Sequence, residues 1–252
     1  STNASVTMSF AQDLSVLTGN NGRILYLTGV NTGNNTFSGV IGNSSNGSGA
    51  TQVRKTEAGT WILGADNTYT GKTTVDNGTL VVGSLKDIGT ASSIGAGSTL
   101  QLGYFTATGT LSYVGAGDST NRPLQINDYT AGTGNTGAGR ILNNGTGALT
   151  FTASTFVPTN EVVVANRSLQ LGGTYAGGFN EIQGVIQDIA PIAGNAVVSV
   201  VKQNDASLWA LNATNTYTGA TTINGGVLAV TGSGSINDTS GITLNGGTLN
   251  YS

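Results

Sequence analysis

The pentapeptide NTYTG occurs twice in this chain of 252 residues, at positions 67–71 and again at positions 215–219. A catalytic motif is normally present once per active site, so a duplicated pentapeptide indicates a duplicated architecture. The match extends from Trp61 to Val82 in one copy and from Trp209 to Val230 in the other. The sequence therefore predicts two related structural units.

A shorter period lies beneath this duplication, in which a small or β-branched residue is followed by an apolar residue, any residue and a second apolar residue. It occurs at positions 79–82, 99–102, 110–113, 148–151, 168–171, 227–230 and 248–251. Apolar residues at every second position predict half-buried strands, because successive side chains point to opposite faces. Steps of 20 or 21 residues separate Leu80 from Leu100, Leu149 from Leu169 and Leu228 from Leu249. Such a step fits one coil of a parallel β-solenoid in which leucines stack between coils.

Three Asn-Gly pairs come just before strands, at positions 77–78, 224–225 and 245–246. Both residue types accept the left-handed backbone conformation that a tight corner requires. Asn-Gly is also a strong signal for a β-hairpin, so an antiparallel meander is the main alternative fold. A helical fold is disfavoured because Gly, Thr, Asn and Ser dominate and no long pattern of period 3.6 is present.

Residues 55–80 resemble the autotransporter-associated β-strand repeat, whose pattern runs from a Lys through a Gly-rich corner, Asn-Thr-Tyr-Thr-Gly and Thr-Thr-Val to a final Leu. The second copy, from Lys202 to Leu228, is similar but lacks the glycine before its Leu208-Trp209 strand. Both copies carry Trp where the family usually has Leu. The resemblance implies a right-handed parallel β-helix belonging to a large secreted bacterial surface protein. It implies no single activity, since passengers of this kind include adhesins and toxins.

We therefore predict an all-β protein, a right-handed parallel β-helix with coils of roughly 20 residues. Residues 1–252 are expected to form one continuous β-solenoid. Within it, the internal repeat units cover about 23–103 and 167–252, and divergent coils at 104–166 separate them.

Composition limits the function classes. The net charge of −3 with nine scattered basic residues offers no positive stripe for a phosphate backbone, so nucleic acid is not an expected partner. No apolar run approaches the roughly 20 residues needed to span a bilayer, so this segment is not expected to insert into a membrane. Cysteine is absent, which removes disulfides and thiolate metal sites.

Catalytic chemistry lacks its usual residues. Histidine is absent, which removes the commonest general base, the usual partner of a nucleophilic serine and a main zinc ligand. Glycoside hydrolysis needs two carboxyl groups roughly 5 to 10 Å apart. Asp66 and Asp76, or Glu57 and Asp76, meet only if adjacent coils align them, and Thr214 and Asn224 replace the two aspartates in the second copy. We predict no catalytic residues and no enzyme activity.

No metal or cofactor is expected either. The glycine-rich stretches 115–118 and 132–135 contribute at most one carboxylate each, whereas calcium needs several oxygen ligands. They also fail as phosphate loops, because no helix follows and no Lys-Ser/Thr pair is present.

The aromatic residues of the repeat allow two interpretations. Tyr69 and Tyr217 of NTYTG could stack on sugar rings, or they could cover the core at a coil corner at which Asn orders the backbone and Gly turns the chain. The duplication favours the corner. For the same reason Trp61 and Trp209 are expected to fill the core rather than form a recognition patch.

The functional prediction is a non-catalytic segment of an extracellular or cell-surface bacterial protein, an autotransporter passenger-like stalk or adhesin. Its partners are a host, matrix or glycan surface, or a second copy of itself. Both chain ends read as strands, so the alternative is a subunit of an extracellular filament formed by head-to-tail stacking of solenoid ends. A polysaccharide-acting β-helix enzyme is a third hypothesis. The longer segment 174–197 is either a binding insertion or a tolerated loop.

Overall fold

The computed structural model describes residues 6–14, 22–44, 49–126, 137–157, 166–188 and 196–252, and these contain strands but no helix. The strands in chain order are β1 (Ser9–Phe10), β2 (Arg23–Leu27), β3 (Asn34–Phe37), β4 (Thr51–Lys55), β5 (Thr60–Leu63), β6 (Thr73–Val75), β7 (Gly78–Val82), β8 (Leu100–Leu102), β9 (Thr108–Tyr113), β10 (Asp118–Thr120), β11 (Leu124–Ile126), β12 (Ala138–Asn143), β13 (Leu149–Phe151), β14 (Thr155–Val157), β15 (Arg167–Gly173), β16 (Phe179–Ile182), β17 (Val185–Ile186), β18 (Val198–Lys202), β19 (Leu208–Leu211), β20 (Thr221–Ile223), β21 (Val227–Val230), β22 (Ile242–Leu244) and β23 (Thr248–Tyr251).

The strands stack as a parallel β-solenoid, which confirms the predicted fold class. Every pairing between these strands is parallel. The longest sheet has the order β1-β3-β5-β7-β9-β12-β15-β18-β20-β22, and a second has the order β10-β13-β16-β19-β21-β23. A third has the order β11-β8-β6-β4-β2, and β14 pairs with β17. The antiparallel meander is therefore wrong, because its hairpins would have produced antiparallel neighbours.

All seven stretches with the alternating apolar pattern form strands. In six of them the apolar side chains of the pattern are buried and lie in rows that run from coil to coil, whereas in β23 Tyr251 is 57% exposed. Leu80 is paired with Trp61 on one side and with Leu111 on the other, and Leu228 lies between Trp209 and Leu249. Fully burying one such leucine contributes roughly 1.5–3 kcal/mol, so these rows supply most of the force that holds the coils together.

Coil length differs along the solenoid. From β4 to β7 and from β18 to β23 a residue pairs with one 19 to 21 positions further on, as Thr60 does with Thr79 and Leu228 with Leu249. The other paired strands are 24 to 31 positions apart, as for Arg23 and Thr51 in the first repeat and for Leu80 and Leu111 after it. The step from Leu80 to Leu100 joins two different sheets, and so does the step from Leu149 to Leu169. Those two intervals were wrongly taken for one coil, because a strand on the next face carries the same alternating pattern.

The second repeat does not lie on the same faces as the first. Strand β4 with Lys55 belongs to the five-stranded sheet, and β5 with Trp61 belongs to the ten-stranded sheet. The equivalent strands β18, with Lys202, and β19, with Trp209, belong to the ten-stranded and six-stranded sheets. The second copy is thus displaced by one face around the solenoid, because the longer middle coils carry an additional strand.

Candidate functional site

The tyrosines of the repeated NTYTG are part of the core. Tyr69 is fully buried, and Tyr217 is 1% exposed. Each hydroxyl forms a hydrogen bond of 2.7 Å with a threonine four residues later, Thr73 in the first copy and Thr221 in the second. Burial raises the pKa of Tyr217 to about 12. Rings without an exposed face cannot stack on a sugar, so the motif is a coil corner.

The asparagine of the motif connects three coils. The Oδ1 of Asn67 accepts the backbone N–H of Ile41 at 2.8 Å, and its Nδ2 donates to the carbonyl of Ser93 at 2.7 Å and to that of Ala65 at 3.1 Å. Ile41 lies 26 residues before Asn67 and Ser93 lies 26 residues after it. The side chain therefore satisfies buried backbone groups of the preceding and the following coil, which explains why the motif requires an amide.

Asn215 repeats this arrangement in the second copy. It accepts the N–H of Ile186 at 2.9 Å and donates to Ala213 at 2.8 Å and to Ser235 at 3.0 Å. The duplicated asparagine is thus a structural residue in both copies.

The last residue of the motif is a glycine for reasons of space. A Cβ on Gly71 would collide with the carbonyl oxygen of Thr51 in the neighbouring coil, and one on Gly219 would collide with that of Val198. Gly71 and Gly219 each lie at a bend of the chain, as predicted, but neither has positive φ. The left-handed conformation that the Asn-Gly pattern predicted is found at Gly78 and Gly246, with φ of 74° and 113°, whereas in the second copy Gly226, with φ of 58°, adopts it instead of Gly225.

The two tryptophans fill the core, as predicted. Trp61 is 4% exposed and Trp209 is fully buried. Their indole N–H groups donate to the carbonyls of Thr28 at 3.0 Å and Gly172 at 3.2 Å. A buried indole N–H needs such an acceptor, so each tryptophan also ties its coil to another.

Each repeat also buries a lysine, a feature that sequence reasoning missed. The Nζ of Lys55 donates to the carbonyls of Thr56 at 2.5 Å, Glu57 at 2.8 Å and Asn77 at 3.1 Å. Burial lowers the pKa of Lys55 to about 8. The three carbonyls belong to the corner after β4 and to that after β6, so the ammonium group holds two successive corners together.

Lys202 has the same position in the second copy. It donates to Asp205 Oδ1 at 2.6 Å and to the carbonyl of Gln203 at 3.1 Å, and burial lowers its pKa. The lysine that opens both repeats was visible in the sequence, but a charged residue is usually exposed, and so its burial was not predicted.

Most carboxylates that were considered for chemistry have structural partners. Asp66 Oδ1 accepts the Ser84 hydroxyl at 2.5 Å. Asp118 forms an ion pair with Lys86 and accepts the N–H of Leu85 and the hydroxyl of Tyr113, each at 3.0 Å. The described ranges contain no cluster of three or more His, Cys, Asp or Glu that could hold a metal ion. The stretch 132–135 lies outside the described residues.

One pair of carboxylates does meet. Glu57 follows β4 and Asp76 follows β6, and adjacent coils bring both to a single open groove together with Thr56, Asn77 and residues 104–107. Asp76 forms an ion pair with Arg54 at 2.6 Å, and this hydrogen bond raises the pKa of Arg54. Residues 104–107 form a tight turn closed by a bridge between Tyr104 and Ala107. Asp66 is not part of this groove.

The described part of the segment 174–197 belongs largely to the scaffold. Strand β16 lies in the six-stranded sheet and β17 pairs with β14. Asp188 accepts the N–H groups of Val198 at 2.8 Å and Thr218 at 3.0 Å, which fastens the end of this segment to neighbouring coils. Residues 189–195 lie outside the described residues, so a binding role there remains a prediction.

No helix in the described ranges has the length and apolar character needed to cross a membrane. The passenger-associated-transport-repeat family matches residues 53–82 and 203–230, the two copies of the duplicated unit. The chain is also 36% identical, over 264 aligned positions, to the adhesin BmaC autotransporter of Brucella suis biovar 1 (strain 1330). That alignment covers 99% of this chain but only 7% of the relative. No solved structure matches the chain significantly.

Proposed function

Because the chain is an autotransporter passenger-type repeat protein, we propose that it is a non-catalytic, adhesive part of a passenger displayed on the bacterial surface or secreted from it. The observation that carries this proposal is the alignment with an adhesin over 99% of the chain. The relative is about fourteen times longer, so its adhesive activity reaches this chain only as part of the proposal.

The architecture supports a role as a rigid scaffold for display. In each repeat the asparagine and tryptophan side chains bond to backbone groups of other coils, and the tyrosine and lysine side chains are buried with them. Rigid stacking of this kind makes an elongated scaffold in which each coil contacts mainly its neighbours. Charged residues make up only 8% of the sequence, so contact with another surface meets little charge repulsion.

Adhesion is tested with the purified chain coupled to fluorescent beads, compared with albumin-coated beads on cultured epithelial cells and on extracellular matrix. We expect greater retention of the beads that carry the chain. Equal retention of both beads on every surface would contradict the adhesive role.

The surface location is tested with an antibody against the chain on intact bacteria that produce the parent protein. Labelling is expected before lysis, and labelling that appears only after lysis would contradict display. Incubation of the chain with a panel of polysaccharides should release no new reducing ends, and release would overturn the non-catalytic assignment. Neither the repeat family nor the adhesin relative supports the alternative of a filament subunit.

A further inference from the structure

The groove beside β6 has the dimensions and the lining of a ligand site. It encloses about 520 Å³, within the range of roughly 300–1,000 Å³ that is typical of ligand pockets. Phe105, in the turn at its edge, is 47% exposed. Glu57 and Phe105 have positive φ values of 60° and 57°, and these are the non-glycine residues with positive φ in the described chain. Such conformations are strained, and they cluster at functional sites.

The groove contains a buried acceptor without a donor. Asp76 is 6% exposed, and its Oδ2 is held by Arg54 at 2.6 Å. Its Oδ1 is buried and has no hydrogen-bond partner in the described chain. A buried carboxylate oxygen without a donor is unfavourable, so this atom favours a ligand hydroxyl that donates to it once the side chain turns toward the groove.

Asn77 supplies the complementary donor. Its Oδ1 accepts the N–H of Gly78 at 2.7 Å, and its Nδ2 has no acceptor among the described residues. Glu57, another residue of the lining, accepts the N–H of Gly29 through Oε2 at 2.7 Å. An acceptor, an amide donor and an exposed aromatic ring thus line one groove.

A comparison of the two copies distinguishes the groove residues from the residues that the scaffold requires. Residues that hold the corners of the repeat are present in both copies, as the paired asparagines, tyrosines and lysines show. The groove residues are not, since Asn224 and Gly225 stand at the positions of Asp76 and Asn77. The solenoid corner therefore forms without the groove residues, and their presence in the first copy calls for another explanation.

We propose that this groove binds a neutral saccharide, with one sugar face against Phe105 and hydroxyl groups hydrogen-bonded to Asp76 and Asn77. Aromatic rings pack against the apolar faces of sugars, and the carboxylate and amide bind hydroxyls as acceptor and donor. A cationic ligand fits less well because Arg54 already neutralises Asp76. The inference rests on the proposed adhesive role only for its biological use, since saccharide binding is measured on the isolated chain.

The test uses saturation-transfer NMR with glucose, galactose, mannose, fucose, N-acetylglucosamine and N-acetylgalactosamine, and with N-acetylarginine amide as a cationic probe. The decisive variant is Phe105→Gly, because glycine adopts positive φ without strain. We expect it to unfold at a temperature no lower than the wild type while it weakens saccharide binding at least about tenfold. Asn77→Ala should also weaken binding.

Two matched variants serve as controls. Tyr251→Ala removes an aromatic side chain that is 57% exposed outside the groove, and Asn224→Ala, as a match to Asn77→Ala, removes an amide side chain outside the groove. Both should bind like the wild type. No saccharide signal from the wild type, binding that survives Phe105→Gly, or preferred binding of N-acetylarginine amide would each overturn the proposal. If saccharides bind but the coated beads do not adhere, the adhesive role fails and the groove assignment stands.

Discussion

Replacing Asn67 by alanine should weaken the contact between three coils at once. The change removes the acceptor of the Ile41 N–H and the donors to the carbonyls of Ser93 and Ala65. Ile41 is fully buried and Ser93 is 3% exposed, so water cannot replace these bonds. The N–H of Ile41 and the carbonyl of Ser93 are the two buried groups left without a partner. Each costs about 1–3 kcal/mol, which gives a total loss of about 2–6 kcal/mol in the free energy of unfolding.

The loss is measured by urea unfolding followed by tryptophan fluorescence and circular dichroism. Asn34→Ala is the matched control, because Asn34 is an exposed strand residue and no side-chain hydrogen bond of it is observed. Its effect should stay within about 0.5 kcal/mol. Asn215→Ala should destabilise the chain to a similar extent as Asn67→Ala, since it breaks the same three types of bond.

An aspartate at position 67 tests the same mechanism in another way. Its carboxylate keeps the acceptor for Ile41 but cannot donate to Ser93, whereas a protonated carboxyl group can. Asn67→Asp should therefore lose stability at neutral pH and recover part of it in acid, relative to the wild type. If Asn67→Ala unfolds at the same urea concentration as Asn34→Ala, the proposed link between coils is refuted.

Four further predictions concern the repeat. Gly71→Ala should destabilise the chain by about 1–3 kcal/mol because its Cβ meets the neighbouring coil, whereas Gly83→Ala should not, since nothing lies within 4 Å of a Cβ there; urea unfolding of both variants checks this. The pKa of Lys55 falls from 10.5 to about 8, so between these pH values the unfolded chain binds more protons and stability should rise with pH by up to about 3 kcal/mol. That rise, measured by thermal unfolding, should be smaller in Lys55→Met. An unchanged rise would refute its assignment to Lys55. The pKa of Tyr217 is raised from 10.0 to about 12, so its contribution is present below pH 10 and should be lost as pH rises to 12. Tyr217→Phe should reduce this loss of stability at alkaline pH. Tyr69→Ala should lower the melting temperature, while the protein that remains folded keeps its adhesion.

Much of the repeat could be predicted from the sequence. The alternation of apolar residues located strands such as β7 and β21, and the duplication indicated that Tyr69 and Trp61 belong to the core. The burial of Lys55 was not predicted, because a lysine is buried only when acceptors surround it, and these come from the corners after β4 and after β6. Coil length was predicted correctly only from β4 to β7 and from β18 to β23, since similar strand patterns on neighbouring faces look alike in a linear sequence.

Period-two alternation and a repeated corner motif are local properties, and they were enough to predict parallel strands stacked around rows of apolar side chains. The groove shared by Glu57, Asp76 and the turn at residues 104–107, and the change of faces between the two repeats, were visible only in three dimensions. Both outcomes depend on the number of residues in each intervening coil, which sets how far the chain has turned before it meets the coil beneath. Groups 20 or 50 residues apart become neighbours through that accumulated rotation, and no short stretch of sequence encodes it.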